Sequence, residues 1–162
     1  MTSLLTVTCF RNLSNMLTRK GLVEFQSENK LLFMSYNQNE MRIMGRIVGN
    51  KDSRELRDVH DDYAYHFYKM LSTPPKHTLH INVLMHGLGY FSDYISSSER
   101  GSFRIRSKDT REGMIPLSVP LHILRSYVVV FESEYLFSQT FLEPNPAELV
   151  EVTDSVKGRS GK

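Results

Sequence analysis

Apolar residues recur every three or four positions in one segment after another, and that period most limits the folds open to this chain. Between about Arg54 and Ser72, Leu56, Val59, Tyr63, Phe67, Met70 and Leu71 fall at helical spacing. Between about Thr78 and Ile95 the set is Ile81, Leu84, Met85, Leu88 and Phe91. Leu22, Phe25, Asn29, Leu32 and Phe33 predict one helix over residues 22–36, and Met41, Met44, Ile47 and Val48 predict a shorter one that ends at Gly49-Asn50. A half-buried strand would alternate every two residues instead. Tyr127 to Phe131, YVVVF, is the one strong strand candidate, and it reads better as the continuation of a helix.

Punctuation supports that reading. Pro116 and Pro120 lie in the apolar stretch EGMIPLSVPLHILRSY; proline fits the first turn of a helix but not its interior, so a helix starts near Pro120 with Leu121, Leu124 and Val128 inside. Asn37 with Glu40 three positions on has capping-box spacing, and Ser53 can cap the following helix. Thr73-Pro74-Pro75 stops that helix. A first helix covers roughly Leu4 to Leu17, and Ser97 to Glu112 are compatible with helix or extended loop. Gly87 and Gly89 weaken a helix interior, which predicts a close helix crossing or a pocket beside at least one of them. The expected architecture is all-α, a compact single-domain bundle of about six or seven helices. It spans residues 1–152, and 153–162 form a flexible basic tail.

The chain's 162 residues fit one domain, and 40% apolar with 23% charged residues is ordinary globular composition. No run is long enough for a membrane span and the N-terminus does not read as a signal peptide, so a cytoplasmic location is expected. The single Cys9 rules out an internal disulfide, a redox pair or a cysteine-only metal cage, and it is expected to be a buried small hydrophobe. The net charge of +2 conceals a pattern: residues 1–50 and 97–130 each hold six Lys/Arg against three Asp/Glu, while residues 131–152 carry five glutamates and no base.

Sequence motifs for catalysis are missing. His77, His80 and His86 come without an HExxH pattern or a comparable carboxylate, so neither a metal nor any other cofactor is expected. His60-Asp61-Asp62 reads as a charged outer face, and there is no GxSxG, phosphate-binding loop or GxGxxG. A binding surface is better supported. Lys30, Arg42, Arg46, Lys76, Arg104, Arg106, Lys108, Arg111 and Arg125 supply positive charge, and Tyr36, His86, Tyr90, Tyr94 and Tyr127 supply rings. Cations hold phosphates and rings stack on unpaired bases.

Four ordered blocks, GLVEFQSENKLLFMSYNQNEMRIMGRIVGN, HINVLMHGLGYFSDYIS, REGMIPLSVPLHILRSYV and YLFSQTFLEPNPAEL, resemble the YbgA-like family over roughly residues 10–150. That bacterial helical domain occurs alone or fused behind a desulfidase of the thiouridine type. The resemblance implies an RNA-binding module without catalysis of its own, with tRNA or another structured RNA as partner and a separate desulfidase as a further one. Among the family-like positions, Lys30, Arg46, Arg111 and Arg125 would grip phosphates, and His86, Tyr90 and Gln139 would contact exposed bases or ribose. Tyr36-Asn37 stands where His-Ser is common, Met41 where tyrosine is common, and residues 101–110 are less regularly helical than in relatives. Two rivals remain open: a small enzyme acting on a nucleotide or RNA through a His86, Arg111 and Gln139 pocket, and a structural or oligomerisation domain. Convergence of Arg46, His86, Arg111 and Gln139 would favour the enzyme.

Overall fold

A buried asparagine interrupts the amphipathic segment that runs from Arg19 to Tyr36, and the break decides how the rest packs. In a computed structural model, described over residues 2–15, 17–49 and 54–142, α2 (Arg19–Glu28) ends at Asn29 and α3 (Lys30–Tyr36) starts immediately after it. Thr18 caps α2, its side chain accepting from the Gly21 N–H at 3.0 Å. Asn29 Nδ2 folds back to the Phe25 carbonyl at 2.9 Å. The break leaves backbone groups without helical partners, and residues 139 and 140 supply them: Leu31 N–H donates to Gln139 Oε1 at 3.1 Å, Gln139 Nε2 donates to the Ser27 carbonyl at 2.8 Å, and Thr140 N–H donates to the Glu28 carbonyl at 3.0 Å.

Before the break comes α1 (Thr2–Asn15); after it follow α4 (Gln38–Gly49), α5 (Leu56–Leu71), α6 (His77–Gly89), α7 (Ser97–Arg111), α8 (Ser118–Val130) and the single turn α9 (Glu134–Phe137). The described residues therefore hold nine helices rather than the six or seven expected, and no strand. Asn29 splits one expected helix in two, the open segment after Ser96 is a full helix, and α9 is too short to show a period. Tyr127 to Val130 are helical, as their place after the proline-started turn predicts. The expected Ser53 cap and the basic tail lie outside the described residues, as do Pro144 and Pro146 of the last family-like block. None of the described helices is long and apolar enough to cross a membrane.

Five consecutive residues of α3, Leu31 to Ser35, are buried, the mark of a helix covered on all sides. It packs on α4 and α5 on one side and on α6 on the other, which joins two aromatic layers. The first gathers Phe10, Phe25, Phe33, Tyr63 and Phe67, with Phe10 and Phe67 centroids 4.6 Å apart. The second brings Phe91 within 5.5 Å of Phe131 and 5.9 Å of Tyr127. Cys9 is not part of either: it is exposed on α1, correcting the buried position expected from its chemistry. The helical period places Phe10, its neighbour, inward instead.

Several polar groups inside are paired. Gln26 donates to the Met41 carbonyl at 3.2 Å and accepts from the Tyr63 hydroxyl at 2.7 Å, tying α2, α4 and α5 together, and burial pushes the Tyr63 phenol up. Asn37 caps α4, accepting from the Asn39 and Glu40 N–H groups. Glu40 does not complete the expected capping box; its buried carboxylate meets Lys69 at 2.8 Å and His66 Nδ1 at 2.6 Å across α5. Burial pushes that carboxyl up, but hydrogen bonds from Lys69 and His66 and the attraction of both outweigh it, holding Glu40 below its ordinary value of 4.5. The reciprocal box occurs at α7, where Ser96 and Glu99 satisfy each other's backbone N–H groups.

Where α6 crosses α8, a Cβ on Gly87 would lie 2.8 Å from Leu124 Cδ2, whereas one on Gly89 would meet nothing within 4 Å. The predicted close crossing therefore belongs to Gly87. Gly113 ends α7 at φ +76, a left-handed position that favours glycine.

Three outcomes are expected. Gln139→Ala strands the Leu31 N–H and lowers stability by about 2–3 kcal/mol in urea unfolding; a change within about 0.5 kcal/mol would show that the clamp is dispensable. Gly87→Val destabilises by about 1–3 kcal/mol through overpacking on Leu124, while Gly89→Ala is neutral or stabilising by up to about 1 kcal/mol. Because the folded-state pKa of Glu40 is depressed, its contribution is present above pH 4.5 and is lost as pH falls through the folded value. Thermal melts of Glu40→Gln should thus fall below wild type by about 2 kcal/mol at neutral pH and converge on it in acid.

Candidate nucleic-acid interface

One side of α4 carries Gln38, Asn39, Arg42, Gly45, Arg46 and Gly49, brought together by the helical period and flanked by the buried Met41 and Val48. This face forms one wall of a cleft of about 780 Å³. Val23, Gln26 and Ser27 of α2 and Lys30 and Met34 of α3 form the other wall, and His86 of α6 closes the end. The Asn29 break places both α2 and α3 at the cleft, since it lets α3 begin with Lys30 exposed while the following five residues go inside.

Charge in the cleft is one-sided. None of its lining residues is an aspartate or glutamate, and Lys30, Arg42 and Arg46 pair with no carboxylate among the described residues. Four cations elsewhere meet acids, Lys20 with Glu24 at 3.5 Å, Arg54 with Asp62 at 2.7 Å, Lys69 with Glu40 at 2.8 Å and Lys108 with Glu112 at 3.8 Å, whereas Arg104, Arg106 and Arg111 of α7 also pair with no carboxylate among the described residues. Glu40 is the sole acid of α4, and it is turned away to α5. Arg46 at least complements the negative end of its helix, but Lys30 sits in the first turn of α3, where a cation is disfavoured. Three cations in a concave site without acids raise the local positive potential and attract an anion.

From His86 a run of rings leads out of the cleft. His86 meets Tyr90 edge-on with centroids 5.7 Å apart, and Tyr90 stacks on Tyr135 at 5.4 Å and 27°. Tyr90 is 42% exposed. Burial, with the Tyr90 phenol beside it, pushes Tyr135 up to about 12. The Tyr135 hydroxyl oxygen is itself buried and has no hydrogen-bond partner of good geometry among the described residues.

The structure thus unites Lys30, Arg46 and His86, with Tyr90 one step away, and separates the other expected site residues. Arg111 is exposed at the last position of α7 and does not line the cleft. Arg125 lines a different hollow of about 100 Å³ with Val128, Val129, Leu136 and Phe137. Gln139 is 0% exposed with its amide committed to backbone groups, so it is a fastener of the fold and cannot touch a base. The His86, Arg111 and Gln139 pocket is therefore not formed. Arg42 was legible as a cation but not as a site residue; its signal was the i, i+4 spacing to Arg46. His80 and His86 also part company, His80 lying 5.9 Å from the Phe141 ring.

One polar juxtaposition has no motif in the sequence. Ser14 Oγ lies 2.8 Å from His60 Nε2, and His60 Nδ1 lies 3.2 Å from Asp61 Oδ1. The serine proton is committed to the Phe10 carbonyl at 2.9 Å, and the imidazole stacks on Phe10 at 5.5 Å and 5°. These contacts fasten α1 to α5.

The family described as a protein of unknown function, DUF1722, matches residues 30–146, a span that contains Lys30, Arg42, Arg46, His86, Tyr90 and Tyr135. The chain is also 33% identical over 128 residues to the uncharacterized protein YbgA of Escherichia coli (strain K12), covering 78% of this chain and 76% of the relative. No solved structure matches it. A match over most of the chain, together with that identity, means that the protein belongs to the YbgA-like DUF1722 family.

Proposed function

We propose that this protein is an RNA-binding module that recognises tRNA in connection with thiolated uridine and performs no catalysis of its own. The observation that carries this reading is the cleft in which Lys30, Arg42 and Arg46 stand without a carboxylate, leading to the exposed ring of Tyr90. Phosphates neutralise such cations, and a ring beside them holds an unpaired base. No carboxylate lines the cleft beside His86, and that favours holding a polyanion over acid–base chemistry. The choice of tRNA comes from the family resemblance, in which related domains are joined to a desulfidase; a separate desulfidase is the expected protein partner, and the cytoplasm is the place where both would meet tRNA.

Binding should weaken steeply with salt, because each neutralised phosphate releases condensed counterions. Arg42→Ala and Arg46→Ala should each lower tRNA affinity and reduce the slope of log affinity against log salt by about one. Arg111→Ala, off the cleft, should change both less. Fluorescence anisotropy with tRNA and with duplex DNA of equal charge checks these outcomes. Equal affinity for the two nucleic acids would reduce the cleft to a generic basic surface, and no binding of tRNA at low salt would remove the RNA role.

A further inference from the structure

The cleft is more specific than a positive patch needs to be. Its α4 wall has two glycines, Gly45 and Gly49, where side chains would fill it, and its interior includes Met34 and Met41. Gln38 and Asn39 are exposed on the same helix, and among the described residues no side-chain hydrogen bond holds either amide. A duplex binds through its outer phosphates and groove edges and has nothing to insert into a hollow with an apolar interior. An unpaired nucleotide has a phosphate for the rim, a flat apolar face for the methionines and an edge of alternating donors and acceptors that a carboxamide can match. The volume of about 780 Å³ lies in the range of small-ligand pockets.

We propose that the cleft takes a single unpaired nucleotide, with Arg42, Arg46 and Lys30 on its phosphate, Gln38 and Asn39 on its base edge, and the neighbouring base stacked on Tyr90. This inference rests on the RNA-binding reading and adds the substrate class: RNA with a bulged, flipped or looped-out residue. Such a residue is the cheapest to present because little pairing or stacking is lost on extrusion.

Gly45 gives a test that leaves every charge in place. A Cβ there would meet Gln26 Nε2 at an ordinary 3.5 Å, so Gly45→Met projects its side chain into the cleft without pressing on the backbone. The chain has no tryptophan, so 2-aminopurine in an RNA can be excited and read without interfering indole emission. Two hairpins with equal numbers of phosphates are compared, one with 2-aminopurine in a single-nucleotide bulge and one with it paired in the stem. The bulged hairpin should bind at least about ten-fold tighter, with its emission changed on binding, and millimolar UMP or AMP should compete. Gly45→Met should abolish the preference while retaining affinity for the paired hairpin. Should Gly45→Met fail to fold, the exposed double substitution Gln38→Ala and Asn39→Ala should reduce the preference at least about three-fold. Tight but equal binding of both hairpins overturns the pocket and leaves the RNA role standing. A preference untouched by either variant overturns it too, by placing the nucleotide elsewhere. No binding of either hairpin, of tRNA or of UMP overturns the pocket together with the reading it rests on.

Discussion

The discontinuity at Asn29 sets the relation between the two halves of the molecule. A continuous helix from Arg19 to Tyr36 could bury one stripe; the break lets α2 keep an exposed side while α3 is enclosed by α4, α5 and α6. Breaking a helix in a buried place exposes backbone groups to an apolar surround, a penalty of about 1–3 kcal/mol for each one left unmet. Gln139 is suited to the position because one carboxamide both accepts and donates, meeting Leu31 N–H and the Ser27 carbonyl with a single side chain. Two aromatic layers then pack on either side of α3.

The orientation of α4 is fixed by polar contacts on its inner side, and that is why its outer side is free to carry charge. Gln26 holds the Met41 carbonyl, Asn37 caps the first turn, and Glu40 reaches back to Lys69 and His66. Turning α4 about its axis would break all three sets. The same arrangement removes the one acidic side chain that could neutralise Arg42 or Arg46, so the electrostatics of the cleft follow from the packing of the core. The fold holds like charges together in a concave place, an arrangement that an anionic ligand relieves.

Much of this was legible in the sequence. The inward positions of α5 and α6 came from the three- and four-residue period alone, because Val59, Tyr63, Phe67 and Met70 and then Ile81, Leu84 and Leu88 follow it without interruption. The break at Asn29 was not legible, since Asn29 falls on the apolar face and its cause lies more than a hundred residues away at Gln139. α7 was obscured by its charge and by Gly101, although Ser96 and Glu99 carried the capping-box spacing. Of the expected site residues, Lys30, Arg46 and His86 line one cleft. Gln139 was assigned to the ligand because a family-like polar residue looks the same on paper whether it serves the backbone or a substrate. Arg111 and Arg125 were grouped with the cleft by charge, which says nothing about which way a helix faces.

The Gln139 clamp also orders events in time. It joins residues 108 and 112 positions apart, so the entropy of closing a long loop must be overcome before the break in the N-terminal segment has its partners. During synthesis from the N-terminus, α2, α3 and α4 emerge well before residue 139 does, and until then Leu31 N–H lacks its partner in the fold. A nascent chain therefore has the cations of the cleft but not the fixed junction that positions two of its walls. The cleft is therefore complete only once the chain has been synthesised nearly to the last described turn.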